Sequence, residues 1–234
     1  MQSVRNRESN VILLDAGNVF GGSGEAGRRQ AGMAIEAMAL MGYDALNLGE
    51  GEFLFGRPFL EEQQERADFP FLSANLVDPD TGVCPYPTHV IKEVDHLKVG
   101  IIGLVSPGRD RGREMVTHDP LSSLEAILPA VKGESDLVIV LAQMGYAEAV
   151  ELIRNVAGVH VMIVSGEGES VTEPVEIDGT LLAPCTHWGM AVGELHIVGN
   201  TDGQIVDYRW SQGVLDEQVV DDPGIAELTS GYDE

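Results

Sequence analysis

The sequence predicts an α/β protein in which two β-sheets pack face to face with helices outside. Three observations carry this. Short apolar runs alternate with amphipathic helical segments as far as Val164, the pattern of βαβ units. From Thr180 the runs shorten and read as antiparallel hairpins. Loops rich in side-chain oxygen follow the C-terminal ends of the apolar strands, where open α/β sheets place their sites.

Val11–Leu14 is an apolar run ending in Asp15-Ala16-Gly17, a buried strand entering a turn. After the flexible Gly21-Gly22-Ser23-Gly24 a helix fits Glu25–Met41, with Ala31, Ala34, Ile35, Met38 and Met41 on one face and Gly42 as its stop. The methionines read as core filler. Ala45–Leu48 is the next strand and runs into Gly49-Glu50-Gly51-Glu52. Phe71–Ala74 is a further strand, and Pro79–Pro87 is turn-rich. His89–Val94 and Leu97–Val105 form a hairpin around Asp95-His96, and the unbroken apolar second run marks a central strand covered on both faces.

Gly108–Glu114 is a charged loop carrying Arg109, Arg111 and Arg113. Asp119 as N-cap and Pro120 at the first position open a helix whose core face is Leu121, Leu124, Leu128 and Val131. Leu137–Ala142 is a second central strand, and Glu148–Val156 is a helix. His160–Val164 is a third strand and ends in Ser165-Gly166-Glu167-Gly168-Glu169-Ser170. Thr180–Ala183, Ala191–Val198 and Ile205–Trp210 are short strands suited to antiparallel hairpins, with Asn200–Gly203 as one turn. The expected organisation is one domain over residues 1–214, then an acidic tail and linker helix over 215–234, the helix starting after Pro223.

A chain of 234 residues, 44% apolar and 22% charged, buries a core without metals or disulfides. With 38 acidic and 14 basic side chains the net charge is −24. Such a field repels phosphate backbones and anionic lipid, so nucleic acid and membrane surfaces are set aside as partners. It suits either a soluble protein kept apart by charge or one that collects cations. The longest apolar runs are too short to span a bilayer, and no signal-peptide pattern opens the chain. Cys84 and Cys185 are the only cysteines, open to one disulfide or to two separate thiols.

The strand-end loops collect Asn18, Glu50, Glu52, Gln143, Glu167 and Glu169, all oxygen donors. They suit a hard cation such as Ca²⁺ or Mg²⁺, or else are solvated acids on glycine-rich turns. No nucleophile elbow or Walker loop is present. His89, His96, His118, His160 and His196 read as structural, and His187, beside Trp188-Gly189, stays open as a site-edge residue.

Several segments resemble one family in its own order. Val11-Ile12-Leu13-Leu14-Asp15-Ala16-Gly17-Asn18 resembles a strand ending Asp-Ala-Gly-Asp. Met41 to Phe53, with Leu48-Gly49-Glu50-Gly51-Glu52-Phe53, resembles the segment ending Gly-Asn-His-Glu-Phe. Phe71–Asn75 and Lys98–Pro107 match further, and Leu141-Ala142-Gln143-Met144-Gly145 resembles Leu-Ser-His-Leu-Gly. Ser165–Ser170 sits where the family has Gly-Gly-His-Ser-His-Thr, and His187-Trp188-Gly189 resembles the next site-edge loop. The chain thus resembles the N-terminal metallophosphoesterase (calcineurin-like) domain of the 5′-nucleotidase family. That resemblance implies a four-layer αββα sandwich which, in active members, holds two divalent metals that bind phosphate and activate water.

The departures are as specific as the matches. By the resemblance, the first strand with its Asp-x-His motif is missing, and the bridging Asp is Asn18. The Asn ligand is Glu50, the His that helps the leaving group is Gly51, the third-segment His is Gln143, and the paired His ligands are Glu167 and Glu169. The implied reading is a catalytically inactive binding or assembly module with a degraded metal site, holding no cofactor or one hard divalent cation. The alternative is a nucleotidase-like phosphoester hydrolase with an all-oxygen site. The resemblance also implies a missing C-terminal nucleotide-binding domain, a homodimer or partner chain covering the open sheet edge, and a periplasmic or extracellular setting.

Overall fold

The structure is a computed structural model and describes residues 1–107, 114–166, 171–185, 189–200 and 204–230. In chain order, α1 (Gln2–Arg7) precedes β1 (Leu14–Asp15), α2 (Gly24–Met41), β2 (Ala45–Asn47), α3 (Arg57–Arg66), β3 (Phe71–Leu72) and β4 (Leu76–Val77). Then come β5 (His89–Val94), β6 (Leu97–Val105), β7 (Val116–Thr117), α4 (Pro120–Glu134), β8 (Leu137–Gln143), α5 (Tyr146–Asn155) and β9 (Val161–Val164). The described chain closes with β10 (Val175–Ile177), β11 (Thr180–Pro184), β12 (Ala191–Gly199), β13 (Ile205–Val214) and α6 (Pro223–Ser230).

These elements stack as helix, sheet, sheet, helix. A parallel sheet of order β1-β2-β3 carries α2 and α3 on its outer face, where Ile35, Met38 and Leu60 pack on Leu46, Leu48 and Phe71. A six-stranded sheet of order β10-β11-β9-β8-β6-β5 carries α4 and α5, where Leu124, Val131 and Ile153 pack on Leu104, Val138 and Val140. Between the sheets lies a third cluster that joins Ala16, Ala45 and Leu72 to Ile101, Ile139, Leu141 and Val161. The β12–β13 hairpin is a sheet of its own, yet Leu195, Ile197, Ile205 and Tyr208 pack into that same inter-sheet core. Residues buried on both faces explain why β6 and β8 read as unbroken apolar runs.

Local chemistry fixes the helix ends. Gly42 sits at φ 73° and ends α2, its N–H reaching the Ala39 carbonyl while Tyr43 N–H reaches that of Met38. Asp119 caps α4 by accepting from Ser122 N–H at 2.8 Å, with Pro120 in the first turn. Helix α3 is capped from a distance, because Glu114 Oε2 accepts from Arg57 N–H at 2.7 Å.

One expectation needs correction. Strand β11 does not begin an antiparallel series with the strands that follow it. It runs parallel to β9, from Leu181 opposite Val161 to Pro184 opposite Val164, and antiparallel to the short β10 before it. The cause is burial: Thr180, Leu181, Leu182 and Ala183 are all buried, and Thr180 Oγ1 donates to the Val159 carbonyl. Of the two states the sequence leaves open for Cys84 and Cys185, the structure has them not joined by a disulfide, each half-buried. Helices α1 and α3 and the β4–β7 pair carry too few apolar residues to show a period. In α3 only Leu60 and Gln63 are buried, and in α1 none is. The acidic tail contains α6, which packs against α2. Among the described residues no helix is long and apolar enough to cross a membrane.

Gly103 of β6 lies under the opposite sheet, where a Cβ would come within 2.6 Å of Asn47 Oδ1 and 2.7 Å of the Leu72 carbonyl oxygen. Gly103→Ala is therefore expected to cost about 1–3 kcal/mol by forcing the sheets apart, a fall of several degrees in Tm by circular dichroism. A net charge of −24 predicts a second response. Tm should rise as NaCl goes from about 0.01 M to about 0.5 M, because the Debye length falls from about 30 Å to a few Å and self-repulsion is screened. A flat Tm over that range would show that the acidic groups are already neutralised by their neighbours.

Candidate functional site

The ends of both sheets are tied together at one edge. Asn47 closes β2, and its buried Nδ2 donates to the Ala16 carbonyl after β1 (3.1 Å) and to the Leu104 carbonyl of β6 (2.9 Å). Ser165, after β9, donates through Oγ to the same Ala16 carbonyl at 2.7 Å. Ser106, after β6, reaches the Gln143 carbonyl through its N–H and Glu148 Oε2 through its hydroxyl at 2.6 Å. Five strands from two sheets, β1, β2, β6, β8 and β9, thereby end at one place with their following loops.

Two of those loops touch. Gly17 turns the chain at φ 102°, and Asn18 follows at φ 69°, a left-handed position that asparagine tolerates better than most residues. Asn18 Oδ1 accepts from Gly51 N–H at 2.8 Å. A Cβ on Gly49 would stand 2.7 Å from Asn18 Oδ1 and 3.0 Å from Gln143 Cγ, so Asn18 and Gln143 flank that glycine. Glu50 is exposed beside them and starts the 3₁₀ turn Gly51–Phe53.

Three of the sequence-derived site residues, Asn18, Glu50 and Gln143, are thus gathered at one edge. Glu167, Glu169 and His187 lie outside the described residues. Gly166 is described: the backbone there presses on the Met144 carbonyl, leaving no room for a Cβ. The sequence places Glu52 at the site edge, as one of several solvated acids, and the structure corrects this. It is fully buried, and it accepts from Val19 N–H (2.6 Å), Gly49 N–H (2.7 Å) and Asn18 N–H (3.1 Å). The 3₁₀ turn rotates it inward, a rotation that Gly-Glu-Gly-Glu does not announce.

Sequence reasoning missed Asn47, Ser165 and Asp15 as parts of this edge. Asn47 had a signal, since it is the one polar residue inside the apolar run Ala45–Leu48. The structural reading of His160 agrees with its Nδ1 accepting from Val138 N–H at 2.9 Å. Among the described residues no three His, Cys, Asp or Glu side chains are grouped to hold a metal ion.

Two carboxylates beneath the loops carry displaced titrations. Burial pushes Asp15 from 3.8 up to about 6, against the pull of Gly17 N–H, and the nearby Glu52 charge adds to the rise. Burial also raises Glu52, while the N–H groups of Asn18, Gly49 and Val19 draw it back. Tyr43 is raised by burial and by the Asp15 charge.

No protein-family model matches the chain. The trifunctional nucleotide phosphoesterase protein YfkN of Bacillus subtilis (strain 168) is 24% identical over 271 residues, which takes in 95% of this chain and 18% of YfkN. The 5′-nucleotidase precursor of Thermus thermophilus superposes with a TM-score of 0.87 at 25% identity, covering 99% of this chain and 50% of that protein. The calcineurin-like phosphoesterase YfkN structure from Bacillus subtilis gives 0.82 at 22% identity, over 99% of this chain and 85% of that one. The chain spans about a fifth of YfkN and half of the Thermus protein, and its whole length takes their common fold.

Asp15 supplies a test of the electrostatics. Its folded-state value of about 6 exceeds its ordinary 3.8, so the native state holds this proton more tightly. The resulting stability is fully present below about pH 4 and is lost as pH rises through about 6. Asp15→Asn mimics the protonated form. It should melt with wild type near pH 4 and several degrees above it at pH 8, within a limit of about 3 kcal/mol. Equal melting at both pH values would mean that Asp15 titrates normally.

Proposed function

Because this chain is an amino-terminal calcineurin-like metallophosphoesterase domain of the 5′-nucleotidase family, we propose that it serves as a binding or assembly module whose dinuclear metal centre is degraded. The observation that carries this reading is Asn18. It stands where the resemblance places the bridging carboxylate, and its side-chain oxygen is bonded to Gly51 N–H. A carboxylate that bridges two cations offsets their mutual repulsion with its negative charge. A neutral amide whose oxygen already accepts from Gly51 N–H has no such charge to supply.

The other described donors point the same way. Gln143 is neutral and stands in the place of an imidazole, and a hard oxygen donor does not suit Zn, Mn or Fe as imidazole does. Gly51 has no side chain to protonate a leaving group. Glu52 is committed to three backbone N–H groups. The described residues therefore do not fit a two-metal centre, and no catalytic step is routed through one.

A second reading rests on Glu50. Its exposed position beside Asn18 and Gln143, on a chain of net charge −24, favours a single hard cation such as Ca²⁺ or Mg²⁺ and an altered phosphoester hydrolase. The fold also leaves an edge: among the described residues β1 pairs only with β2, and the β12–β13 hairpin pairs only with itself. A second copy or a partner strand covering that edge is the assembly we favour. Sedimentation at micromolar concentration tests it, with a monomer counting against the second copy. A further nucleotide-binding domain and a periplasmic or extracellular setting belong to this proposal through the relatives' greater length and kind. A full-length transcript ending with this chain would remove the first, and cell fractionation tests the second.

Metal-stripped protein melted against Ca²⁺, Mg²⁺ and Mn²⁺ at millimolar concentration, with bis-nitrophenyl phosphate in the same wells, tests the main reading. We expect no shift and no turnover above buffer. Saturation about 100-fold above Kd would instead add about 2.7 kcal/mol and several degrees, and turnover abolished by Glu167→Ala would establish an enzyme. Restoring the family's ligand side chains with Asn18→Asp, Glu50→Asn, Gln143→His, Glu167→His and Glu169→His should create a Mn²⁺-dependent rise in Tm that the native protein lacks.

A further inference from the structure

We infer that the two site loops are locked to one another by a metal-independent clasp built from Glu52 and Asn18, so that the site holds one conformation with no cation bound. The inference deepens the scaffold reading above, but it is tested by a different quantity.

The clasp is made of bonds between loops that leave different strands. Residues 17–20 follow β1, and residues 49–53 follow β2. Glu52 Oε1 takes Val19 N–H, and its Oε2 takes both Asn18 N–H and Gly49 N–H. Asn18 Oδ1 completes the exchange by accepting from Gly51 N–H. Three of these four bonds cross between the loops, and the fourth closes the second loop on itself. The three to Glu52 end on a fully buried carboxyl, so breaking one leaves part of a buried polar group unpaired.

Glycine makes the approach feasible at two points. Any side chain at Gly49 would strike Asn18 Oδ1, and a Cβ at Gly51 would come within 2.8 Å of the Phe20 carbonyl oxygen and 3.1 Å of Asn18 Cα. The clasp is also anchored below. Asn47 and Ser165 both hold the Ala16 carbonyl, two residues before Asn18, and Asn47 connects it to Leu104 in the other sheet. Loops that a bound cation would otherwise draw together are already joined by backbone and side-chain hydrogen bonds. What the site offers a ligand is a preset surface and not a shape assembled on binding.

Hydrogen exchange read residue by residue by NMR tests this on the intact chain in excess chelator. The amides of Asn18, Val19, Gly49 and Gly51 should exchange at least ~100-fold more slowly than in an unstructured peptide, and millimolar Mn²⁺ should change them by less than about twofold. Glu52→Gln should speed Asn18, Val19 and Gly49 by at least about tenfold while the amides of β6 and β8 stay slow. Asn18→Gly keeps a residue at ease with φ near 70° and removes only Oδ1, so it should free the Gly51 amide alone. That second variant carries the test if Glu52→Gln fails to fold. Peptide-like exchange in chelator, protection that appears only with Mn²⁺, or an unaffected Gly51 amide in Asn18→Gly would each overturn the clasp. A metal-induced Tm shift or phosphoester turnover would overturn the scaffold reading and leave the clasp standing.

Discussion

Asn47 stands at the end of β2 with its side chain wholly inside the protein, and its one amide nitrogen holds carbonyls that belong to different sheets. Apolar packing between the sheets is non-directional and would tolerate small slides of one layer over the other. Two hydrogen bonds from a single planar group do not, because a slide leaves a buried carbonyl unpaired at about 1–3 kcal/mol. The bond to Leu104 is open to Asn47 only because Gly103 beside it has no side chain. A residue pair on facing sheets therefore sets how β1, β2 and β6 end relative to one another, and the loops inherit that setting.

The site follows from this constraint. Ala16, held by Asn47 and Ser165, fixes where Gly17 begins its turn, and Gly17 delivers Asn18 in a left-handed conformation. From there Asn18 meets Gly51, and Glu52 gathers the N–H groups of both loops from beneath. Buried carboxylates in such a place are costly unless paired with donors or protonated. Glu52 is supplied with three donors. Asp15 has the single N–H of Gly17 and responds by holding its proton to about pH 6.

Much of the fold could be read in the chain. The hairpin β5–β6, the helices α2 and α4 and the strand β8 announce themselves by unbroken apolar runs, an N-cap at Asp119 and a left-handed stop at Gly42. The direction of β11 could not be read, since burial on both faces erases the alternation that marks an antiparallel strand. Helix α3 was hidden because RPFLEEQQER has no apolar residue after Leu60 and relies on Glu114, a residue distant in sequence, for its cap. Asn18, Glu50 and Gln143 were placed at one edge by the strand-end rule and by the resemblance. The inward turn of Glu52 was not legible, because a glutamate between glycines looks solvated until the three N–H groups that claim it are seen.

The clasp bears on the proposal that this site has given up its metals while the fold is kept. Metal ions bind loops as well as substrates, and their binding energy is also folding energy where ligands come from separate segments. Under that proposal, a chain whose ligand positions carry other side chains gives up that tether along with the chemistry. The loops then need another reason to meet, or their inward N–H groups face each other unpaired. Glu52 supplies that reason, and it can do so because its carboxylate points into the protein, away from the edge where Asn18, Glu50 and Gln143 gather. Substitution at those three positions leaves Glu52's three bonds to backbone N–H groups in place, and of the clasp only the bond between Asn18 Oδ1 and Gly51 depends on one of them. Glu52 thus carries most of the loop architecture apart from the proposed metal positions, and Asn18 alone belongs to both.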